Sequence, residues 1–410
     1  MSDVFCPTPW TDSFIQNNGN VVPCCEMLNQ TDAFCGNVNT DKFEDIMNHP
    51  TYIKIREELL QGKKTRACRN CWTREEQTGG SLRTKRANDK YIQDMGVEGL
   101  GAEVFTKPIV TNIKSMKIDF SNGCNLKCPM CSPSRSTAWR KDKLAFEKDF
   151  DFEGYEYHDG LKYSISQTQW DNISKNIPIS FIDDNIDYIL QMGDINISGG
   201  EPFFHPPFHY LLDRLVENNF QGNLTVVTNL TLLEDDILEK LEKLESRLSI
   251  SIDGCLDLYE YVRSGTTHGK YNWNHILGKI QQVTKSNTLI SFSYTPQLYN
   301  MYNIIPWLEI TSQLFNERQR NKQLLNDVLI SPNYLRIANH PDQTEKDKLI
   351  QQLETWNHVY GVKSIQQALA QPQPEDRWIQ FCKFTNFLDK QRKTSIIKYV
   401  PQFEKYWITE

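Results

Sequence analysis

The sequence contains no long apolar run. Across its 410 residues, no uninterrupted apolar stretch approaches the roughly 18 residues that a transmembrane helix requires. The first residues, Met-Ser-Asp-Val-Phe-Cys, also lack the charged region and the apolar region that together mark a secretory signal. We therefore predict a cytoplasmic protein that does not span a membrane.

An excess of positive charge is also missing. The 45 lysine and arginine residues are outnumbered by 52 aspartate and glutamate residues, which gives a formal net charge of −7. Wholesale binding to nucleic acid requires a basic face, so this balance argues against a nucleic-acid partner. The chain is long enough to form two domains with complete cores.

The sequence is well supplied with cysteine. Its 11 cysteines are mostly clustered, at residues 6–71 and 124–131, while Cys255 and Cys382 are isolated. In the absence of a secretion signal, clustered cysteines favour metal binding in a reducing compartment over disulfide bridges. An isolated cysteine is most often a small buried apolar residue.

The second cluster is a Cys-x3-Cys-x2-Cys run formed by Cys124, Cys128 and Cys131, directly after an apolar-alternating segment. Three thiolates on one loop can hold three irons of a [4Fe–4S] cluster, whereas a structural cluster takes four cysteines. The fourth iron is then open to another ligand, like the open position of a catalytic zinc site. A zinc knuckle is the alternative, although zinc sites usually consist of paired Cys-x2-Cys units.

A second motif follows further along the chain, where the strand-like run Asp194-Ile-Asn-Ile-Ser leads into Gly-Gly-Glu-Pro. Gly199 and Gly200 let the main chain approach a ligand closely and adopt conformations that other residues avoid. Glu201 supplies an acceptor for an ammonium group, and Pro202 ends the strand. A strand followed by two glycines is often only a tight connection, so the motif gains weight from its pairing with the cysteine run.

The cysteine run and the Gly-Gly-Glu-Pro motif, in this order, resemble the radical SAM superfamily. The resemblance implies that the open iron chelates S-adenosylmethionine, and that one electron from the cluster cleaves it to methionine and a 5′-deoxyadenosyl radical. It also implies that Gly199, Gly200, Glu201 and Pro202 bind the amino group of this cofactor. Relatives usually place an aromatic residue just before the third cysteine. Here Met130 takes that position, and we expect its thioether to cover the adenine instead.

Six strand-like runs, most of them followed by an amphipathic stretch, suggest the fold. The predicted strands are 115–121, 194–198, 223–228, 247–253, 289–295 and 333–338, and the predicted helices are 207–219, 234–245, 273–284 and 302–315. This alternation predicts a parallel α/β architecture, and the resemblance implies a partial (β/α)6 TIM-like barrel. Because active sites of parallel barrels lie at the carboxyl ends of the strands, both motifs are expected on one rim.

Short polar side chains end the third and fourth predicted strands. Thr228 and Asn229 close the third strand, and Ser251 and Asp253 close the fourth. Such residues are often helix caps or turn formers. In radical SAM relatives an Asn, a Ser and a later Arg at these places hold the cofactor, so the resemblance implies cofactor-binding roles here and for Arg263. A guanidinium can grip a carboxylate through two hydrogen bonds.

The N-terminal cysteines form a further pattern, in which Cys6 and Cys24 bracket a predicted β-hairpin and Cys68 and Cys71 form a Cys-x2-Cys pair. The pattern resembles the SPASM domain, or its shorter form called Twitch, and implies a second, auxiliary [4Fe–4S] cluster closed by these four thiolates. A zinc ribbon-like site is the alternative. Cys25 could replace Cys24, because adjacent hairpin residues face opposite ways. In most relatives this domain follows the barrel, whereas here it precedes it.

We predict four segments along the chain. They are the iron–sulfur domain at 1–72 with one helix at 43–60, a linker at 73–112, the barrel at 113–340 with a long insertion at 135–185, and a C-terminal helical region at 341–410 that packs on the barrel. The insertion is interpreted as a lid or substrate-recognition loop, or as a disordered spacer. The linker residues Arg83, Lys85 and Arg86 are interpreted as a solvated surface. We expect the small domain to cap the open rim of the barrel, with its cluster facing that of Cys124 across a cavity.

These motifs predict a radical SAM enzyme of the oxidoreductase or transferase type. It would use two [4Fe–4S] clusters and S-adenosylmethionine to abstract hydrogen from a peptide, a sugar or another metabolite. A small electron donor such as flavodoxin or ferredoxin is the expected protein partner. Two alternatives stay open: a radical SAM enzyme that modifies a nucleic-acid base, and a non-catalytic iron–sulfur or zinc protein that does not bind S-adenosylmethionine.

Overall fold

The computed structural model describes residues 3–27, 31–87, 105–110, 113–153, 155, 176–263, 270–314, 323–325, 329, 331–372 and 376–409. The strands are β1 (Asp12–Ile15), β2 (Val21–Val22), β3 (Ser115–Asp119), β4 (Asp194–Ser198), β5 (Asn223–Thr228), β6 (Arg247–Ser251), β7 (Leu289–Tyr294) and β8 (Gln323–Leu325). The helices are α1 (Thr8–Thr11), α2 (Phe43–Ile46), α3 (Pro50–Leu60), α4 (Arg69–Thr78), α5 (Leu82–Ala87), α6 (Arg140–Asp149), α7 (Ile179–Ile189), α8 (Pro206–Glu217), α9 (Asp235–Lys243), α10 (Asp257–Val262), α11 (Trp273–Thr284), α12 (Ile304–Ser312), α13 (Gln343–Leu353), α14 (Val362–Leu369), α15 (Asp376–Arg392) and α16 (Ile396–Tyr399). Within these ranges, no helix has the length and apolar character needed to cross a membrane.

The chain divides into two compact units, and the first comprises residues 1–121 and 172–226. Its strand order is β2-β1-β3-β4-β5. Strand β2 is antiparallel to β1, and every other neighbouring pair is parallel. Asp12 at the start of β1 lies opposite Ser115 at the start of β3. The N-terminal hairpin therefore extends the parallel sheet whose strands β3 and β4 each precede one of the two signature motifs.

Local sequence explains these strands. In β3 and β4 the side chains of Met116, Ile118, Ile195 and Ile197 are all buried, so apolar residues recur at the two-residue period of a strand. The hairpin turns at Gly19, whose φ is +85° and where an added Cβ would collide with the Asn39 side chain. Only glycine fits this turn.

The second unit comprises residues 122–171 and 227–410, and it contains the parallel strands β6, β7 and β8. Helix α15 packs against the insertion: the Phe146 ring lies 4.9 Å from that of Phe384 and 4.6 Å from that of Phe387. Tyr155 donates a hydrogen bond to the Gln380 carbonyl at 2.8 Å. Residues 140–153 and Tyr155 are therefore packed structure and not a disordered spacer, and a lid or substrate-recognition role for the insertion stays a prediction. Residues 156–175 lie outside the described residues.

Five of the six predicted strands are confirmed, with earlier ends for β3, β6 and β7. The sixth, at 333–338, is wrong, because these residues form two short 3-10 turns, Asn333–Leu335 and Ile337–Asn339. The Asn339 side chain donates to the Asn333 carbonyl at 2.7 Å, so the segment folds back on itself and cannot extend. Strand β8 pairs with β7 instead.

Two predictions in the first 87 residues are corrected. The stretch 43–60 forms two helices, because Pro50 lacks an N–H and disfavours a helical conformation at His49, whose ψ is 144°. The predicted linker begins with most of α4 and all of α5 rather than with irregular chain. Its residues 88–104, including the predicted glycine punctuation at 96–101, lie outside the described residues.

Candidate functional site

The cysteine run of the second unit is held in a tight loop. Cys128 is buried, Cys124 and Cys131 are half-buried, and all three are free thiols. The Cys131 amide donates to the Cys128 carbonyl at 2.9 Å, and the Trp139 indole donates to the same carbonyl at 3.1 Å. The loop thus presents three sulfurs on one short segment that a buried tryptophan fixes.

Burial controls the acidity of these thiols. It raises the pKa of Cys128, and it raises the pKa of Cys131 to about 12. The positive charge of the Arg263 guanidinium favours the thiolates, and so it offsets part of this increase in the pKa of both residues. The thiols of Cys128 and Cys131 are therefore protonated at neutral pH, and a metal must displace their protons to bind.

Arg263 pairs with Asp253 in this structure. Its Nη1 lies 2.8 Å from Asp253 Oδ2, and Asp253 Oδ1 accepts from the Thr295 amide at 2.7 Å. Burial on its own would lower the pKa of Arg263, but Cys128 and Asp253 outweigh burial and raise it. The Nε of Arg263 has no hydrogen-bond partner among the described residues, although it is buried. Asp253 thus orients a fixed positive charge beside the cysteine loop.

The polar residues after β5 also reach the cysteine loop. The Asn229 side-chain amide lies 3.8 Å from Cys124 Sγ and donates to Asn125 Oδ1 at 3.0 Å. Thr228 Oγ1 accepts from the Leu230 amide at 2.9 Å, which stabilises the turn where Leu230 has a φ of +64°. Asn229 is therefore placed as a hydrogen-bond donor to Cys124, and Thr228 as a turn former. Ser251, the last residue of β6, and Met130, next to Cys131, are both half-buried.

The Gly-Gly-Glu-Pro motif lies in the first unit, against the chain that leaves β3. The Gly200 amide donates to the Ser121 carbonyl at 2.9 Å. Gly199 has a φ of +115°, and an added Cβ would lie 2.7 Å from that same carbonyl oxygen, so no side chain fits. Glu201 is fully buried, and its Oε1 accepts from the Phe203 amide at 3.3 Å, which caps the 3-10 turn that Pro202 begins.

Four N-terminal cysteines surround one cavity in the first unit. Cys6, Cys24, Cys68 and Cys71 line it together with Thr8, Pro9, Glu26, Met27, Leu82 and Arg83. Cys6 precedes α1, Cys24 follows β2, and the other two flank the first turn of α4. The fold thus brings together the four residues that the spacing pattern singled out.

The closeness of these sulfurs affects their pKa values. Burial raises the pKa of Cys6 to about 11, and burial together with the neighbouring thiols raises the pKa of Cys24 and of Cys68. The positive charge of Arg83 offsets part of this increase in the pKa of Cys68. Four thiols, three of them buried, whose charges would repel one another need a cation or a metal cluster to ionise.

The position of this cavity contradicts the expectation that the small domain caps the open rim. Its lining residues Thr8 and Pro9 directly precede β1, and Cys24 follows β2, whose carboxyl end points back toward the start of β1. The cavity therefore lies at the amino-terminal edge of the β1–β3–β4 sheet. Gly199 and Glu201 follow β4 at the carboxyl-terminal edge. The cavity lies at this edge because β1 pairs in parallel with β3, and residue spacing alone does not predict this pairing.

Sequence comparison identifies both parts of this arrangement. Residues 118–292 match the sequence model of the radical SAM superfamily, and residues 6–72 match that of the SPASM iron–sulfur cluster-binding domain. The chain contains a radical SAM domain preceded by a SPASM domain. Its recognition from the motifs is confirmed, and so is its α/β fold class of the partial (β/α)6 barrel type.

The proteins that it resembles here are distant in sequence. An uncharacterized protein of Methanocaldococcus jannaschii is 25% identical over 164 residues, which is 38% of this chain and 43% of that protein. The chain thus spans less than half the length of this curated relative. Among solved structures, anSMEcpe with bound AdoMet is 13% identical with a TM-score of 0.39, over 60% of this chain and 62% of that one. SuiB of Streptococcus suis bound to the precursor peptide SuiA is 14% identical with a TM-score of 0.39, over 84% and 68%.

The donor atoms of both cysteine sets suit iron–sulfur clusters. In the described part of the chain, no three His, Cys, Asp or Glu side chains converge as they would around a single metal ion. A [4Fe–4S] cluster makes a different demand, because each thiolate binds its own iron and the sulfurs surround the cluster. The SPASM cavity offers four thiols around one space, and the radical SAM loop offers three.

The predicted solvated position of Arg83 is wrong, because this residue is buried and lines the SPASM cavity. The residue is 8% exposed and donates to the Asp3 and Phe5 carbonyls at 2.8 and 3.1 Å. Its other nitrogens bind Glu75 at 2.9 and 2.6 Å. The sequence does carry a signal: Gly79 ends α4 with a φ of +71°, so α5 can return toward the cysteines.

The remaining cysteines lie outside the two sets. Cys25 is half-buried next to Cys24 but does not line the cavity, and Cys35 Sγ donates to the Ala33 carbonyl at 3.3 Å. Cys255 Sγ lies 3.3 Å from Asn303 Oδ1, and Cys382 is buried in α15. The geometry therefore gives no support for Cys25 as the ligand in place of Cys24.

Proposed function

We propose that this protein reductively cleaves S-adenosylmethionine at a [4Fe–4S] cluster held by Cys124, Cys128 and Cys131, and abstracts hydrogen from an organic substrate. A second [4Fe–4S] cluster is held by the four SPASM cysteines. The observation that carries the proposal is the division of the cysteines into one loop of three and one cavity of four. A set of three leaves an iron for a cofactor, and a set of four does not.

The residues around the loop of three have separate tasks. When bound, the cluster supplies the electron that breaks a carbon–sulfur bond of S-adenosylmethionine. Asn229 directs an amide N–H at Cys124, and hydrogen bonds to cluster sulfurs raise the reduction potential. Arg263, held by Asp253, places its charge beside Cys128 and keeps a buried Nε free of partners among the described residues for a carboxylate.

The substrate belongs to the class of peptides, sugars or other small metabolites in this proposal. The net charge of −7 argues against a nucleic-acid substrate. Glycines 199 and 200 and Glu201 are proposed to receive the amino group of S-adenosylmethionine, and Met130, Thr228 and Ser251 to line the rest of its site.

Reduced, reconstituted protein is expected to convert S-adenosylmethionine to 5′-deoxyadenosine. The measurement is chromatography of dithionite-treated reactions, with and without candidate peptides and metabolites, beside iron and zinc analysis of the same protein. The Cys124→Ala variant is the matched negative control, since it keeps the SPASM cysteines. Absence of 5′-deoxyadenosine from iron-loaded wild-type protein under all these conditions would contradict the proposal, and zinc in place of iron would favour the non-catalytic alternative.

Replacement of Glu201 by Ala is expected to weaken S-adenosylmethionine binding by about 1–3 kcal/mol, because a buried charged acceptor is lost. The measurement is equilibrium binding to the reconstituted protein. Glu201→Gln separates two causes: it keeps an oxygen that can cap Phe203 but removes the charge. Equal weakening in both variants supports a charge contact, whereas recovery with Gln would show that Glu201 only caps its own turn. Glu217→Ala, on an exposed part of α8, is the control.

A further inference from the structure

A stretch of positive charge surrounds two of the SPASM cysteines. Between Glu58 and Glu75 the sequence has five lysine and arginine residues and no aspartate or glutamate. Four of them, Lys63, Lys64, Arg66 and Arg69, are exposed, and we call these four the basic collar. The chain as a whole has a net charge of −7, so the collar is opposite in sign to the overall charge.

The nearby acids do not cancel the collar. Asp32 pairs with Arg66 at 3.5 Å and with Arg69 at 3.3 Å, but the Arg66 side chain is still 87% exposed and that of Arg69 47%. Glu26 pairs with Arg74, outside the collar, at 3.7 Å. Glu58 is half-buried and close enough to Cys68 to raise its pKa. Exposed ion pairs of this kind are weak, so the collar can exchange them for contacts with a partner.

The collar and the cluster ligands occupy the same short piece of chain. Arg66 and Arg69 flank Cys68, and Cys71 follows within the first turn of α4. Cys68 and Cys71 are 7% and 6% exposed, so a small part of each residue still reaches the protein surface. A protein bound to the collar would therefore lie directly over the SPASM site.

The cavity also lies at the amino-terminal edge of its sheet, away from the edge where Gly199 and Glu201 follow β4. The SPASM ligand set is closed, since four thiolates leave no iron for a substrate. This position of the cavity therefore does not suit direct contact with a substrate. A closed cluster beneath an exposed charged surface suits the entry of electrons.

We infer that the basic collar is the docking surface for a small acidic one-electron carrier protein that reduces the SPASM cluster. The inference rests on the proposed function, because it requires a cluster at Cys6, Cys24, Cys68 and Cys71. In this step one electron leaves the reduced carrier, which is oxidised by one electron, and enters the SPASM cluster, which is reduced by one electron. No proton or other atom is transferred. Opposite charges steer the two proteins and set their orientation.

The test uses the full-length, reconstituted protein and an acidic plant-type [2Fe–2S] ferredoxin as the probe. In one variant Lys63, Arg66 and Arg69 are all replaced by Glu. In the control variant Lys243, Arg247 and Lys363, exposed residues of the second unit, are replaced by Glu, which gives the same net charge. We expect the collar variant to bind ferredoxin about tenfold or more weakly and to be reduced by it more slowly, with a smaller dependence on salt. The control should resemble the wild type.

Two further measurements keep the outcomes distinct. Iron content, and reduction by dithionite, should be unchanged in the collar variant, because none of its replaced residues binds the cluster. If Glu at these positions lowers iron content, the milder replacement of the same three residues by Gln takes its place, with a smaller loss of binding expected. Wild-type affinity in an iron-loaded collar variant, an equal loss in the control, or a wild type that does not bind ferredoxin would each overturn the inference. Iron-free wild-type protein would instead overturn the proposed function.

Discussion

A variant in which Cys124, Cys128 and Cys131 are all replaced by alanine is expected to keep about half of the wild-type iron, because one of the two proposed clusters would lose every protein ligand. It should form no 5′-deoxyadenosine at all. The opposite variant, with the four SPASM cysteines replaced, should lose the other half of the iron. Iron and sulfide analysis after anaerobic reconstitution measures both.

The chain offers a matched control for these cysteine variants. Cys255 and Cys382 are buried free thiols like the proposed ligands, but they lie outside both cysteine sets. The Cys255→Ala, Cys382→Ala double variant should therefore keep its full iron and its cofactor cleavage. Full iron in the Cys124, Cys128 and Cys131 variant, or an equal loss of iron in the control, would rule out the assignment of these ligands.

What the sequence predicts well is local. The strands β3, β4 and β5 follow from apolar residues at a period of two, and the cysteine sets follow from spacings within a loop or around a hairpin. Cys6 and Cys68 are far apart in the chain, but the hairpin and the Cys-x2-Cys pair form a recurrent pattern that brings them to one cavity. Such cysteine patterns predict contacts between distant segments, because the ligands of one metal site must come together in the fold.

What the sequence does not predict is long-range pairing. The register of β1 against β3, with Asp12 opposite Ser115, puts the SPASM cavity at the amino-terminal edge of the sheet. No local periodicity distinguishes this from pairing elsewhere, since a strand pattern shows which face is buried and not which neighbour it has. The same limit applies to the ion pair between Asp253 and Arg263, which no spacing in the sequence indicates.

Residues that support a site without binding its metal are the hardest to predict from the sequence. Arg83 has no place in a cysteine motif, yet it joins two segments that carry ligands. Its guanidinium holds the carbonyls of Asp3 and Phe5, next to Cys6, and the carboxylate of Glu75, one turn after Cys71. It also lies 4.6 Å from the centre of the Trp72 ring. Since it is buried, each of these contacts is worth more than the same contact at the surface.

Replacement of Arg83 by Ala should therefore destabilise the first unit by about 3–5 kcal/mol, because it leaves the Glu75 carboxylate without its buried partner. Thermal and urea unfolding measure the loss. Arg214→Ala is the control: its pair with Glu217 is 2.7 Å long but exposed, so a change of at most about 0.5 kcal/mol is expected. Arg83→Lys should recover only part of the stability, since an ammonium cannot reproduce the planar fork of hydrogen bonds.

A second readout separates a structural role from an electrostatic one. In the background of the Cys124, Cys128 and Cys131 variant only the SPASM cluster remains, so its reduction potential can be titrated alone by electron paramagnetic resonance. Removal of the Arg83 charge should lower that potential, because the reduced cluster carries one more negative charge and loses a nearby cation. Arg83→Lys keeps the charge and should keep most of the potential while losing stability. If Arg83→Ala changes neither the potential nor the unfolding midpoint, Arg83 does not support the SPASM site, and the boundary of that site returns to residue 72, where the family match ends.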